Sequence, residues 1–406
     1  MKFGEPAVIQ MDGLERLIQL LWADGYEVVG PQARDGAIVY DTLRSADELP
    51  RGVGDEQQPG HYRLRERGDN AVFGHAVGPH TLKRFLHPPL VTLWRARRSA
   101  LGFELEGEAA EPPRFAFVGV RPCEVAAIAV LDRVLLGEPA DAVYAARRRG
   151  ALVVAVSCSD PAGTCFCGSM GCGPHATAGF DIALTELAGD APRFVLECGS
   201  ERGAGLASRL GATPAADADL EAAVLVHARA EAALTRQLEL PGLKQLLEQR
   251  YDDPLWDEVA RRCLACGNCT LVCPTCFCTA IDDVTDLSGC QAERRRRADT
   301  CFGVEFSYIH GGSVRTSTAA RYRQWLTHKL AAWQDQFGTP GCVVKSSISS
   351  FSKKPADEVT CEPKLSFNVV VLATAFPAAS TTEKCVVCGP SPRLTMVFGG
   401  TEALAA

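Results

Sequence analysis

The apolar residues of this chain recur with two periods, and the changes between them predict where helices and strands lie. Near the amino terminus, Leu14, Leu17, Ile18 and Leu21 fall at helical spacing, which predicts an amphipathic helix. From residue 114 to residue 198, apolar runs such as FAFVGV and ALVVAV alternate with helical stretches such as PCEVAAIAVLDRVLL. This alternation is typical of α/β domains, so we predict an α/β amino-terminal domain.

The second half of the chain predicts a smaller unit of different character. Residues 215–250 have helical periodicity broken near Pro241, and the densest cysteine run follows, together with helical stretches such as 318–334. After Cys342 the chain carries serine clusters with no clear period, which is typical of a poorly packed segment. We predict three segments: an α/β domain at 1–250 with a cysteine-rich loop at 158–172, a mainly α-helical metal domain at 251–342, and an irregular, disordered tail at 343–406.

Charge and composition exclude several functions. The 406 residues carry a formal charge of -7, so we expect no general attraction to nucleic acid or to an anionic membrane. The most apolar stretch, from Leu365 to Ala379, is shorter than the roughly 20 residues of a membrane helix and contains polar residues. We expect no secretion signal, and many of the 18 cysteines are separated from the next by two residues or fewer. We therefore expect metal binding in a reducing cytoplasm rather than disulfides.

The strongest motif is a C-x2-C-x2-C-x3-C-P run formed by Cys263, Cys266, Cys269 and Cys273. This spacing is typical of bacterial ferredoxins, in which three thiolates converge on one four-iron cluster (4Fe-4S) and the fourth ligates the other cluster. The alternative is a structural zinc site, but zinc ribbons use two separated cysteine pairs rather than four cysteines in so short a run. The run therefore predicts a ferredoxin-like iron–sulfur domain.

Other cysteines form weaker candidate sites. Cys158, Cys165 and Cys167 follow an apolar strand, where α/β sheets place their ligands, and are followed by Cys172. They hold a further cluster or a partner-facing redox site, or else they pack as buried apolar groups. Cys123 lies near a predicted helix start and is either a further ligand or a packed thiol, of which packing is the favoured interpretation. Further cysteines flank the main run and offer missing ligands: Cys276, Cys278, Cys290 and Cys301.

Two more segments are chemically suggestive. Gly203 and Gly205 follow a predicted strand, but the third glycine of a dinucleotide-binding fingerprint is absent, so nicotinamide binding here is not expected. The four arginines at 294–297 predict a solvated helix face, or alternatively a docking site for an acidic redox partner.

Several segments together resemble the β subunit of cytoplasmic sulfhydrogenases and the matching iron–sulfur subunit of anaerobic sulfite reductase. They include FVGVRPCE from Phe117, CSDPAGTCFCGSMG from Cys158, GFDIALTEL from Gly179, the run from Cys263 to Cys278, FSYIHGG from Phe306, and RYRQWLTHKL from Arg321. The resemblance implies a subunit with two ferredoxin-type clusters and no substrate chemistry of its own. It implies hydrogenase or reductase partner subunits, including one that binds flavin (FAD) and nicotinamide. Cys263, Cys266 and Cys269 would hold one cluster, and Cys273 would reach the other.

The sequence departs from this family after Gly341. The family continues beyond a matching Gly-Cys into a second C-x2-C-x2-C-x3-C-P run, whereas this chain continues as VVKSS after Cys342. The change predicts a shifted reading frame at 343–406, with a lineage-specific tail as the alternative. Cys342 is the last cysteine that the resemblance supports as a ligand.

The sequence predicts an electron-relay subunit of a cytoplasmic hydrogenase or of a sulfite or sulfur reductase complex. It would carry electrons between the catalytic subunit of that complex and a subunit that binds flavin and nicotinamide. Two alternatives stay open. One is a flavin-binding reductase with the flavin in the α/β domain, and the other is a zinc-stabilised interaction protein.

Overall fold

The structure is a computed structural model, and it describes residues 5–58, 61–100, 102–107, 112–189 and 191–343. The predicted tail beyond Val343, together with its three cysteines, lies outside the described residues.

A mixed eight-stranded sheet forms the centre of the amino-terminal half. Its strands are β1 (Ala7–Gln10), β2 (Glu27–Arg34), β3 (Ala37–Thr42), β8 (Phe115–Val120), β9 (Leu152–Val156), β10 (Ile182–Leu187), β11 (Arg193–Cys198) and β12 (Thr213–Pro214), in the order β12-β1-β11-β10-β9-β8-β2-β3. The four strands β2, β8, β9 and β10 are parallel, and the outer strands pair antiparallel. Every residue of β8, β9 and β10 is buried, as expected for parallel strands covered on both faces.

Helices cover both faces of this sheet. They are α1 (Met11–Ala23), α3 (Pro122–Leu135), α4 (Ala142–Gly150), α5 (Glu201–Ala207) and α6 (Asp217–Ala232). Leu14, Leu17, Ile18 and Leu21 of α1 are buried in the core on one face, as their spacing predicted. The core on the other face contains the apolar residues of α3. The α/β prediction for this half is confirmed.

A second, four-stranded sheet joins distant parts of the chain. Its strands are β6 (Leu90–Ser99), β7 (Gly102–Gly107), β13 (Thr279–Thr285) and β14 (Gln291–Ala298), in the order β13-β14-β6-β7. The short hairpins β4 (Val53–Gln58) with β5 (His61–Glu66), and β15 (Tyr308–Ile309) with β16 (Gly312–Ser313), complete the strands. The arginines at 294–297 lie in β14, so the prediction of a helix face was wrong. Arg294 and Arg297 pair instead with Asp283 and Asp282 of β13.

The remaining helices surround the cysteine run. They are α2 (Lys83–Leu86), α7 (Leu243–Gln249), α8 (Leu255–Arg262), α9 (Asn268–Leu271), α10 (Thr318–Thr327) and α11 (Trp333–Phe337), with a π-helical turn at His328–Ala332 that joins α10 to α11. The prediction of a mainly helical segment is therefore correct only in part, because β13 and β14 interrupt the helices. Within the described part of the chain, no helix is long and apolar enough to cross a membrane.

Candidate iron–sulfur site

The first three cysteines of the run converge on one place. Cys263 ends α8, Cys266 lies on the exposed loop, and Cys269 lies in α9. Burial raises the pKa of the Cys269 thiol, and the neighbouring thiols of Cys263, Cys266 and Cys273 raise it further. The backbone N–H of Ala265 donates to the Cys263 sulfur over 3.4 Å. N–H donors of this kind stabilise a thiolate, so the loop suits anionic sulfur ligands.

Gly267 lets this loop turn tightly between the second and third cysteines. Its φ of +73° lies in the left-handed region, and a Cβ placed there would lie 2.6 Å from Cγ2 of Thr300. The Thr300 hydroxyl is held by a hydrogen bond of 2.6 Å with that of Thr270, which lies 2.7 Å from the Gly267 carbonyl oxygen. A glycine is therefore needed here both for its backbone conformation and for space.

Cys273 is turned toward a buried lysine. It follows α9 and is buried, and Lys329 Nζ donates to its sulfur over 3.2 Å and to the hydroxyl of Thr275 over 2.8 Å. The pKa of the Cys273 thiol is lowered well below its usual range, by a hydrogen bond with Cys276 and by the Lys329 charge, against the effect of burial. Cys276 and Lys329 therefore both favour the thiolate form of Cys273.

Lys329 lies in the π-helical turn at His328–Ala332. A π turn inserts one extra residue into a helix and re-aims the side chains on it, often at functional sites. Lys329 is 3 % exposed, and its pKa is raised, against the effect of burial, by the neighbouring sulfur atoms of Cys273, Cys276 and Cys342. The buried charge is therefore compensated by sulfur.

A second lysine approaches the same cysteines from the amino-terminal half. Lys83 of α2 donates through Nζ to the carbonyl oxygens of Leu271, Cys276 and Thr270, over 2.9, 3.1 and 3.3 Å. Lys83 therefore closes the carboxyl end of α9. Burial lowers the pKa of its ammonium group, and the nearby sulfur atoms of Cys276 and Cys273 act in the opposite direction. The sequence carried no signal for this contact, because Lys83 lies in a different half of the chain from the cysteine run.

The cysteines that flank the run gather around Lys329. Cys278 and Cys301 are hydrogen-bonded to each other, which lowers the pKa of Cys278 to about 7 and raises that of Cys301. Cys342 is buried in the same apolar core. A cavity of about 330 Å³ adjoins this group and is lined by Cys276, Cys278, Cys301, Lys329, His328 and the rings of Phe277, Phe306, Trp325 and Trp333. Of the flanking cysteines, Cys290 alone is elsewhere, exposed at the turn between β13 and β14.

The cysteines of the amino-terminal half form a separate group. The loop that carries Cys158, Cys165, Cys167 and Cys172 lies against the amino-terminal end of α3, where Cys123 is close to these thiols. The sequence contained a signal for this proximity, because Cys123 and Cys158 each follow a strand of the predicted α/β sheet.

Comparison with known proteins agrees with this arrangement. The family model described as a 4Fe-4S dicluster domain matches residues 262–347. The sulfhydrogenase 2 subunit beta of Pyrococcus furiosus is 31% identical over 244 residues, which cover 59% of this chain and 70% of that protein. No solved structure gives a significant match.

The fold, the cysteine run and these matches define an iron–sulfur electron-transfer subunit of the 4Fe-4S type. The chain belongs to the family of sulfhydrogenase β subunits, as the resemblance of its motifs predicted.

Proposed function

We propose that this chain relays electrons between the catalytic subunit of a cytoplasmic hydrogenase, or of a sulfite or sulfur reductase complex, and a partner subunit that binds flavin and nicotinamide. Family membership supports an electron-transfer role among partner subunits. The observation that carries the proposal is the convergence of Cys263, Cys266 and Cys269, with Cys273 turned to Lys329. In two-cluster ferredoxins the fourth cysteine of such a run serves the other cluster.

The ligands of the first cluster follow from this geometry. We assign Cys263, Cys266 and Cys269 to it, because their thiols lie together on a loop whose Ala265 N–H already donates to sulfur. When bound, such a cluster carries one electron at a time without forming bonds to a substrate. The chain itself supplies thiolates, N–H donors and partial exclusion of water.

The second site centres on Cys273 and Lys329. Its further candidate ligands are Cys276, Cys278, Cys301 and Cys342, which all lie near the Lys329 ammonium group. A buried positive charge offsets the cost of gathering several thiolates in a low-dielectric core. These cysteines offer ligands that the missing second run would otherwise supply.

A common apolar core links the cysteine groups of both halves of the chain. It contains Cys167 and Phe166 from the amino-terminal half and Trp256, Trp325 and Cys301 from the other half. Clusters held at its edges would be separated by packed side chains and little water. This arrangement supports a relay rather than isolated structural metal sites.

We place the flavin on a partner subunit rather than in the α/β domain. Gly203 lies in α5, directly against the backbone of Asp181. A Cβ at Gly203 would lie 1.9 Å from the carbonyl oxygen of Asp181. The glycine therefore serves the packing of the helix on the sheet, which accounts for it without a nucleotide. Flavins absorb in structured bands at roughly 450 nm, so such bands in the spectrum of the isolated chain would favour the flavin-binding alternative instead.

The proposal is tested by replacing the ligands singly. Cys263→Ser, Cys266→Ser and Cys269→Ser should each lower the iron content of anaerobically purified protein, since each removes one corner ligand of a cluster. Cys290→Ser is the matched control, because that cysteine is exposed and away from the run. If all three variants keep the iron content of the control, the ligand assignment is wrong.

A further inference from the structure

The fold brings five cysteines of the amino-terminal half to one edge of the large sheet. Cys123 is the second residue of α3, directly after β8, and Cys158 lies two residues after β9. Because β8 and β9 are adjacent and parallel, their carboxyl ends meet at this edge, where α/β folds bind ligands. The loop after β9 adds Cys165, Cys167 and Cys172. We call these five residues the amino-terminal thiol group.

The five sulfur atoms lie close enough together to interact electrostatically. Burial raises the pKa of the Cys123 thiol, and Cys158, Cys172 and Cys167 raise it further. Burial likewise raises the pKa of Cys165, and the nearby thiols of Cys158 and Cys167 raise it further. Cys172 in turn interacts with Cys167, Cys158 and Cys165.

The loop closes tightly over this group. A Cβ at Gly173 would lie 3.2 Å from the Cys167 sulfur, so a glycine allows the close approach. The backbone N–H of Cys172 donates to the Cys167 carbonyl over 3.1 Å, and the N–H of Cys158 donates to the Pro174 carbonyl over 3.0 Å. The turns that present the sulfur atoms are therefore fixed by backbone hydrogen bonds.

A buried arginine supplies positive charge at this place. Arg121 is 1 % exposed and donates to the carbonyl oxygens of Phe73 over 2.6 Å and of Ser157 over 3.1 Å. Burial raises the pKa of the Cys158 thiol, while the charge of Arg121 and a hydrogen bond from it act in the opposite direction. Asp55 and Glu124 also lie near Cys158, and their negative charges raise its pKa. Arg121 is the positive charge that opposes them and favours anionic sulfur ligands here.

We propose that four of these five cysteines, Cys158 and Cys165 among them, hold a further four-iron cluster. Among the described residues, no three Cys, His, Asp or Glu side chains are placed to share a single metal ion. A cubane fits thiols that are near one another yet not gathered around one point, because each thiolate binds a different iron at a different corner. The amino terminus of α3 adds the partial positive charge that favours a Cys123 thiolate.

The cluster would be placed to exchange electrons with the second site of the carboxyl-terminal half. The Cys172 thiol donates to the Val343 carbonyl over 2.7 Å, next to Cys342. The electron exchange with the second site depends on the proposed function. The cluster site itself depends only on the five thiols and Arg121.

The test compares Cys158→Ser with Cys198→Ser in the full chain. Cys158 lies close enough to each of the other four cysteines to raise the pKa of its thiol. Cys198 is a buried cysteine in β11 and does not belong to this group. Iron analysis and electron paramagnetic resonance of dithionite-reduced protein are the measurements. Cys158→Ser should contain about four fewer irons per chain than the control and lose one reduced-cluster signal. Equal iron in the two folded variants overturns the proposal, as does zinc in place of the lost iron.

A second variant keeps the test decisive if Cys158→Ser does not fold. The triple variant Cys263→Ser, Cys266→Ser and Cys269→Ser removes the first cluster of the run and leaves the amino-terminal thiol group unchanged. It should retain the signals of the second site and of the amino-terminal thiol group. Adding Cys165→Ser should remove one of these signals and about four irons, and unchanged signals and iron would contradict the proposal. Loss of iron in the triple variant, with none in Cys158→Ser, overturns the proposal but leaves the proposed function intact.

Discussion

Lys329 should set the reduction potential of the cluster that Cys273 serves, and Lys329→Met removes its charge while keeping an unbranched side chain of similar length. Its Nζ lies 3.2 Å from the Cys273 sulfur and is buried. Reduction adds one negative charge to a cluster, and a positive charge nearby stabilises the reduced state. The substitution should therefore shift the potential to a more negative value.

The size of this shift follows from Coulomb's law. Two unit charges about 6 Å apart interact by about 3 kcal/mol at an effective dielectric constant of about 20. For a one-electron couple, in which a tenfold change corresponds to about 59 mV, this energy is roughly 130 mV. Relaxation of the site and the nearby Lys83 reduce the effect, so we expect a shift of about 50–130 mV.

The assay is a potentiometric titration followed by electron paramagnetic resonance. Lys244→Met is the matched control, because Lys244 lies on α7 and pairs with Glu248 and Asp335 at the surface. The control should leave every potential unchanged. If Lys329→Met binds its full iron content and all its potentials agree with the control within about 20 mV, Lys329 does not act on a cluster.

Three further predictions concern the loop, the partners and the break in the motif. Gly267→Ala should lower the free energy of unfolding by about 1–3 kcal/mol and reduce iron retention, because it adds backbone strain and a clash with Thr300. The control is Gly289→Ala, since Gly289 has a similar positive φ but open space around it. In the same denaturant titration the control should lose less unfolding free energy. The isolated chain should show no hydrogenase, sulfite-reducing or nicotinamide-oxidising turnover, and a robust rate from the homogeneous chain would favour the flavoenzyme alternative. Translating the gene in all three frames beyond the Cys342 codon should reveal a second C-x2-C-x2-C-x3-C-P run; if no frame contains it and the protein carries about eight irons, other cysteines complete the sites.

Local sequence patterns predicted the helices and strands with clear apolar spacing and the loop of the cysteine run. The spacing from Leu14 to Leu21 predicted α1, and the apolar runs before Cys123 and Cys158 predicted β8 and β9. The spacing of the run predicted that Cys263, Cys266 and Cys269 meet, because short loops with fixed spacing leave few alternatives.

Long-range pairing accounts for what the sequence did not reveal. Residues 294–297 became a strand because β6, far earlier in the chain, provides a partner for β14. Tertiary context of this kind overrides local propensity. The contacts of Lys83 and Lys329 likewise depend on how α2 and the π-helical turn pack around α9, and no local pattern encodes them.

The central claim, that this chain is an iron–sulfur electron carrier, is tested most directly by a spectrum of the full chain purified without oxygen. The account predicts iron and acid-labile sulfide in equal amounts, a broad absorption at roughly 400 nm that dithionite bleaches, and a reduced-state paramagnetic signal of the 4Fe-4S type (general properties of such clusters). Protein that binds only zinc or only flavin, or that remains free of iron after anaerobic reconstitution with iron and sulfide, would contradict the claim.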